Sequence, residues 1–195
     1  MKLNNLINPF EQVAEKKLLA IGIIAALVTV FICYFNQVLF RGSLQLVNDY
    51  PKSWYICLVN IGINLMAHIV LIYSVAKLRY NKTRFIDVLA VVLFSHVATS
   101  ILGIITTIPF FDHAIKELGF AVLDNGFSVE TFPKSLLLIV GLFAMLSICL
   151  LILFFYWLVV GFKVVTNSKN KFDGLLIIIL VLLLNISLQI INPYL

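Results

Sequence analysis

The sequence predicts an all-α fold, a polytopic membrane bundle of five transmembrane helices. Of the 195 residues, 62% are hydrophobic and only 12% are charged, whereas about half of the residues in a soluble domain are apolar. Runs of about twenty residues pass without a charge, which is the length that a helix needs to cross a bilayer. These runs are continuous rather than alternating, so they indicate helices and not the strands of a membrane β-barrel. A water-soluble globule is excluded.

Five apolar stretches are long enough to cross about 30 Å of hydrocarbon at about 1.5 Å per residue. They cover residues 18–40, 54–76, 85–110, 134–161 and 174–191. Residues 1–17 are expected to form a short cytoplasmic segment, and residues 18–195 a single transmembrane domain. The first stretch follows Lys16 and Lys17, as the apolar part of a signal peptide would. It is too long for a signal peptide and ends without a small-residue cleavage site.

Basic residues are divided unequally between the two ends of the predicted spans. Ten lie at the end that holds the N-terminal segment, and four lie at the other end. The positive-inside rule therefore places the N-terminus in the cytoplasm and, after five crossings, the C-terminus outside. The net charge of +5 is interpreted as a topology signal and not as nucleic-acid affinity. The connection between the second and third spans supplies candidate contacts to lipid head groups or a partner: Lys77, Arg79, Lys82 and Arg84.

The lengths of the connections predict how the spans are paired. Because the basic connection is short, the second and third spans are expected to form an antiparallel hairpin. The longer loop between the third and fourth spans is rich in phenylalanine, which predicts partly amphipathic structure along the outer interface. In this loop Asp112, His113 and Glu117 could share a helix face and hold a cation, although a solvated loop explains them equally well. Asp173 is expected to cap the fifth helix.

Polar side chains inside the second and third spans are the candidate intramembrane site. Asn60, Asn64 and His68 recur every four residues and so share one helix face, and His96 opens a small, hydroxylated face on the third span. One interpretation is a polar pathway or binding site; the other is hydrogen bonding between helices, worth about 0.6–2 kcal/mol per group. The first span also has a face of small or polar residues: Gly22, Ala26, Thr29, Cys33 and Asn36.

Catalytic and metal-binding patterns are not found in the sequence. The two intramembrane histidines have no carboxylate or cysteine beside them, whereas a metal site needs three or four ligands. Asp and Glu do not occur deep in any span, although proton-coupled transporters commonly use one. The three cysteines fall singly inside spans. We therefore expect no catalytic, cofactor-binding or metal-binding residues.

Three segments give the chain a resemblance to a known family. They are Asn8–Glu11 before the first span, the basic hairpin Lys77–Thr83, and Tyr156–Phe162 at the end of the fourth span. With five spans and this orientation, the chain resembles the Yip family, the five-span proteins named for interaction with Ypt and Rab GTPases. The short N-terminal segment and the residues 94–96 fit the short bacterial members better than the eukaryotic ones. For those members the resemblance implies a membrane location and little defined chemistry.

The expected function is that of a non-enzymatic, multi-pass scaffold or membrane-organising protein of a bacterial cytoplasmic membrane. Its expected partners are the lipid bilayer and a membrane protein or a second copy of the chain, with no nucleic acid and no cofactor. The main alternative is a small channel or carrier with a polar path between spans one, two, three and five, lined by Asn36, Asn60, Asn64, His68 and Asn185. A third possibility, a lipid-handling enzyme with a histidine base, lacks the carboxylate that such a base uses.

Overall fold

The computed structural model of the protein describes residues 8–48, 53–125 and 132–191. Most of this part of the chain is helical, and two short strands follow the first long helix. In chain order the elements are α1 (Pro9–Gln12), α2 (Glu15–Asn36), β1 (Val38–Arg41), β2 (Gln45–Asn48), α3 (Trp54–Arg79), α4 (Phe85–Ser95), α5 (Val97–Thr106), α6 (Pro109–Asn125), α7 (Lys134–Thr166) and α8 (Phe172–Ile191).

Five helices in the described chain are long and apolar enough to cross a membrane: α2, α3, the α4–α5 pair, α7 and α8. The prediction of a multi-pass helical membrane protein is thus confirmed. α3 and α7 run past their predicted ends to Arg79 and Thr166. The third span stops at Thr106 instead of residue 110. Pro109, which has no backbone N–H to continue the helix, begins the next one.

The prediction of an all-α fold misses one element, a β-hairpin directly after the first span. α2 ends at Asn36 instead of residue 40, where Gln37 adopts a left-handed conformation with φ 56°. β1 and β2 then pair antiparallel, with Val38 opposite Asn48. Residues 38–40 are apolar and buried. They were expected to be the last turn of the first span, because a short buried strand has the same composition as the end of a buried helix.

The third span lies at the centre of the bundle and packs against α2, α3 and α7. Its most apolar window is 67% buried, compared with 6% for α7. Gly22 allows α2 to approach this span closely, because a Cβ there would lie 2.6 Å from the Cβ of Leu93. α3 and α4 pack against each other across a short connection, as expected for the second and third spans.

A polar cluster ties the two basic connections together at one end of the bundle. Arg79 at the end of α3 forms an ion pair of 3.1 Å with Asp173 in the first turn of α8. The same carboxylate accepts hydrogen bonds from Tyr80 and Ser168. We call these four residues the basic-end cluster. Asp173 therefore holds two connections together instead of capping its own helix, and Asn170 Oδ1 accepts the hydrogen bond from the Phe172 N–H.

The long loop after the third span contains the helix α6. Phe110 and Phe120 on this helix are 54% and 69% exposed, which fits the expected amphipathic structure. Asp112 forms an ion pair of 2.8 Å with Lys116 one turn later. Among the described residues no group of three metal-ligating side chains comes together, so Asp112, His113 and Glu117 do not form such a group.

Candidate functional site

The β-hairpin turns back from the end of α2 into the interior of the bundle. The hydroxyl of Ser43 at its tip donates a hydrogen bond of 2.9 Å to Nε2 of His96. His96 is the twelfth of the 22 residues of the third span, so the tip lies roughly 15 Å below the end of that span at about 1.5 Å per residue. Backbone that is not helical at this depth must be buried in protein or line a wet cavity. Its polar groups therefore need partners among the surrounding helices.

Asn60 and Asn64 supply partners for the first strand. The Phe40 N–H donates a hydrogen bond of 3.1 Å to Asn60 Oδ1, and Asn60 Nδ2 donates one of 3.0 Å to the Phe40 carbonyl. Asn64 Nδ2 donates to the same carbonyl at 3.1 Å. Asn60 thus pairs with Phe40 as the backbone of a neighbouring strand would. The four-residue spacing of the two asparagines places both side chains along the strand.

Asn185 of α8 supplies a partner for the turn. The N–H of Ser43 donates a hydrogen bond of 2.6 Å to Asn185 Oδ1. The neighbouring Gly42 has φ 70°, and a Cβ at this position would lie 2.6 Å from the same oxygen. Only glycine fits both the backbone conformation and the close approach. On its other side Asn185 Nδ2 lies 3.2 Å from His68 Nε2, so the second and fifth spans meet beneath the hairpin tip.

Both histidines fit this network as neutral imidazoles. In each, Nδ1 lies within 2.8 Å of a carbonyl oxygen one turn earlier on its own helix. Because a carbonyl oxygen can only accept, the network assigns the proton to Nδ1. Each Nε2 is then an acceptor, for the Ser43 hydroxyl at His96 and for the Asn185 amide at His68. A second proton on His68 would place two donors against each other.

The structure therefore brings together all four residues predicted for the intramembrane cluster, and it adds Ser43 and Asn185. The His68 and His96 rings are 5.0 Å apart between centroids. Asn36, which the sequence also suggested as part of a polar path, is exposed and donates to the carbonyl of Ile32 in its own helix. We call the buried set the polar centre: Ser43, Asn60, Asn64, His68, His96 and Asn185.

Ser43 is the member that sequence reasoning missed. The predicted first span left the residues after 40 in a loop outside the membrane, where a serine needs no explanation. The available signal was the stripe of asparagine and histidine on the second span, since buried polar groups require partners. The Gly42–Ser43 pair is also a turn sequence.

A small cavity of about 20 Å³ lies between the hairpin, the first span and the third span. It is lined by Thr29, Asn64, Thr99 and Ser100, among others. Asn64 Oδ1 is buried here without a hydrogen-bond partner in the described part of the chain.

The pairing of Ser43 with His96 has the geometry of a nucleophile and its base. Ser43 is only 3% exposed, and the Nδ1–H of His96 is held by a backbone carbonyl and not by a carboxylate. In the described chain no carboxylate or cysteine joins the two histidines in a group of three. These features match a structural hydrogen bond that fixes the hairpin tip.

Two of the four predicted basic contacts are occupied within the chain. Arg79 pairs with Asp173 in the basic-end cluster. Arg84 donates two hydrogen bonds, of 2.8 and 2.9 Å, to Asp87. These bonds raise the pKa of the Arg84 guanidinium further above its ordinary value. Both arginines therefore form contacts within the protein itself.

The lysines at the same end remain exposed. Lys77 donates a hydrogen bond of 2.7 Å to the Asn81 carbonyl, and Lys82 extends from the turn between the second and third spans. They are part of a set of exposed lysines at this end of the bundle, which we call the lysine rim: Lys16, Lys17, Lys77, Lys82, Lys169 and Lys171. This rim is a charged surface available for contacts with other molecules.

The three segments that carry the family resemblance also converge at this end. The Phe10 ring lies 5.6 Å from the ring of Phe94, and a Cβ on Gly161 would lie 2.9 Å from a Phe10 ring atom. The Tyr80 ring lies 6.4 Å from that of Phe162. Comparison of the chain with protein-family models, with curated proteins and with solved structures finds no match.

Proposed function

We propose that this protein is a non-enzymatic membrane scaffold of the Yip type, which organises partners in a bacterial cytoplasmic membrane. The observation that carries the proposal is the use of the polar centre. The residues that could line a path or perform chemistry hold the backbone of the hairpin instead, through Asn60, Asn64, His96 and Asn185. Contacts of this kind hold the hairpin in one position inside the bundle, as a scaffold of fixed shape requires.

The lysine rim supports the same proposal from outside. Its lysines are exposed while the neighbouring arginines are paired, so the charge that remains for other molecules is concentrated at one end. Basic residues beside spans attract anionic lipid head groups and acidic protein surfaces. We propose that this end faces the cytoplasm and contacts an acidic partner there.

Crosslinking in the native membrane tests the scaffold function. A lysine-reactive crosslinker is applied to membranes that contain the tagged protein, and mass spectrometry identifies the attached peptides. We expect one reproducible partner joined through Lys82, Lys169 or Lys171. The triple exchange of these lysines to glutamine removes that partner, whereas the control Lys134→Gln at the start of α7 keeps it. Crosslinks only within the chain, or a partner that survives the triple exchange, contradict the proposal.

A small channel or carrier is the second candidate, and the re-entrant hairpin favours it. Irregular backbone at membrane depth is a common feature of selectivity filters and transporter sites. Reconstituted vesicles loaded with a panel of ions and small solutes test this function. Flux above that of empty vesicles, altered by Ser43→Ala, supports a carrier. Flux equal to that of empty vesicles across the panel contradicts it.

A further inference from the structure

A large cavity lies at the end of the bundle opposite the basic-end cluster. Its volume is about 810 Å³, within the range of about 300–1,000 Å³ that is typical of ligand sites. The hairpin, the end of α5, the first turns of α6 and the middle of α7 form its walls. Its lining carries the exposed amides of Asn36, Gln37 and Gln45 and the ion pair between Asp112 and Lys116. We call this cavity the vestibule.

A second cavity continues from the vestibule into the apolar part of the bundle. This cavity, which we call the slot, has a volume of about 130 Å³ and runs between α5 and α7 beside the hairpin turn. Leu44, Leu102 and Ser147 line both cavities. Leu151 and Ile148 line the slot, and Ile148 is 57% exposed. The slot therefore borders the lipid beside α7.

We propose that the vestibule and the slot bind one phospholipid with a zwitterionic phosphoethanolamine head group. The head group occupies the vestibule and one acyl chain occupies the slot. A polar ligand without a chain would leave the apolar slot unused, and an apolar ligand would bury the amides and charges of the vestibule without partners. An amphiphile matches both parts. This site does not depend on the scaffold function, which rests on the other end of the bundle.

The charges in the vestibule specify the head group. Lys116 Nζ and the Asp112 carboxylate lie 2.8 Å apart and are both partly exposed, with exposed side-chain fractions of 52% and 37%. Lys116 can donate to the lipid phosphate, and Asp112 can accept from the lipid ammonium group. An anionic head group without the ammonium would leave Lys116 to balance both the lipid phosphate and the Asp112 carboxylate. Asp112 and Lys116 together carry no net charge, so they favour a head group that also carries one negative and one positive charge.

Native mass spectrometry of the detergent-purified full chain tests this site. The protein is titrated with palmitoyl-lysophosphatidylethanolamine and, separately, with palmitoyl-lysophosphatidylglycerol. We expect one saturable lipid per chain, with a dissociation constant about fivefold to tenfold lower for the ethanolamine lipid, since one charge-assisted contact distinguishes the two. Ser147→Leu, which fills the junction of the two cavities, raises the dissociation constants of both lipids about tenfold. Asp112→Asn abolishes the preference between head groups.

Two matched controls accompany these variants. Met145→Phe adds volume to the lipid-facing side of α7, where Met145 is 65% exposed, and Lys134→Gln removes a charge outside the vestibule; both retain wild-type binding. If the Ser147→Leu protein is not monodisperse, the smaller exchange Ser147→Val replaces it in the same titration. The comparison of the two head groups is made on the wild-type protein.

Three outcomes overturn the proposal. One is binding of many lipids without saturation, and the second is equal affinity for the two head groups. The third is free phosphoethanolamine binding as tightly as the lipid, which would identify a soluble phosphate ligand instead.

Discussion

The Ser43 hydroxyl donates a hydrogen bond of 2.9 Å to Nε2 of His96, so the tip of the hairpin meets the third span at the residue where its helix is interrupted. α4 ends at Ser95 and α5 begins at Val97. The His96 carbonyl accepts side-chain hydrogen bonds from Thr99 and Ser100, at 2.8 and 3.0 Å. The interruption of the helix and the hairpin tip therefore share one level in the bundle.

Gly42→Ala tests whether the hairpin requires its glycine. The φ of 70° and a Cβ 2.6 Å from Asn185 Oδ1 predict a loss of about 1–3 kcal/mol in the free energy of unfolding. The measurement is SDS titration of the purified protein in mixed micelles. Gly62→Ala in α3 is the control, because a Cβ there meets nothing within 4 Å, and it should stabilise the protein by about 0.5–1 kcal/mol. Equal effects of the two exchanges would show that the hairpin does not constrain Gly42.

Asn60 and Asn64 of α3 should contribute unequally to the free energy of unfolding. Asn60→Leu leaves the buried Phe40 N–H without its acceptor, which costs about 1–3 kcal/mol of unfolding free energy. Asn64→Leu removes one of two donors to the Phe40 carbonyl, so we expect a cost of about 0.6 kcal/mol. The same SDS titration measures both variants. A larger loss for Asn64 than for Asn60 contradicts the pairing seen here.

The basic-end cluster should show strong coupling between Tyr80 and Asp173. Asp173 is fully buried at 0% exposure, so a double-mutant cycle of Tyr80→Phe with Asp173→Asn should give a coupling energy of about 1–2 kcal/mol. The exposed pair of Asp112 and Lys116 provides the comparison, for which about 0.3–0.5 kcal/mol is expected. Additive effects at Tyr80 and Asp173 would indicate that their contact does not stabilise the fold.

Cysteine labelling tests the orientation of the bundle. In a variant without native cysteines, Lys82→Cys and Lys169→Cys should react with a membrane-impermeant maleimide only after the cells are permeabilised. Lys116→Cys should react on intact spheroplasts. The reverse pattern would invert the predicted topology. Different labelling of positions 82 and 169 would contradict the structure, because the basic-end cluster joins their connections. The native cysteines to be replaced by alanine are Cys33, Cys57 and Cys149.

Much of this architecture follows from local features of the sequence. Five spans can be read from apolar runs, because burial in lipid imposes length and composition on each helix separately. The convergence of Asn60, Asn64 and His68 on one face follows from helix periodicity. The hairpin does not follow in this way, since residues 38–40 of its first strand are apolar like the end of a buried helix. Its position depends on Asn185, which is 142 residues away from Ser43 in the chain.

That long separation has a consequence for biogenesis. During synthesis the first two spans leave the ribosome long before α8 does, and the acceptor for the Ser43 N–H arrives only with Asn185 in α8. Helices insert into the bilayer as individual units before they assemble. The hairpin turn therefore lacks this partner until α8 has been synthesised, whereas its contacts with Asn60, Asn64 and His96 can form earlier. Docking of the turn is completed only when α8 joins the bundle, and a chain that is truncated before α8 leaves the Ser43 N–H without its acceptor.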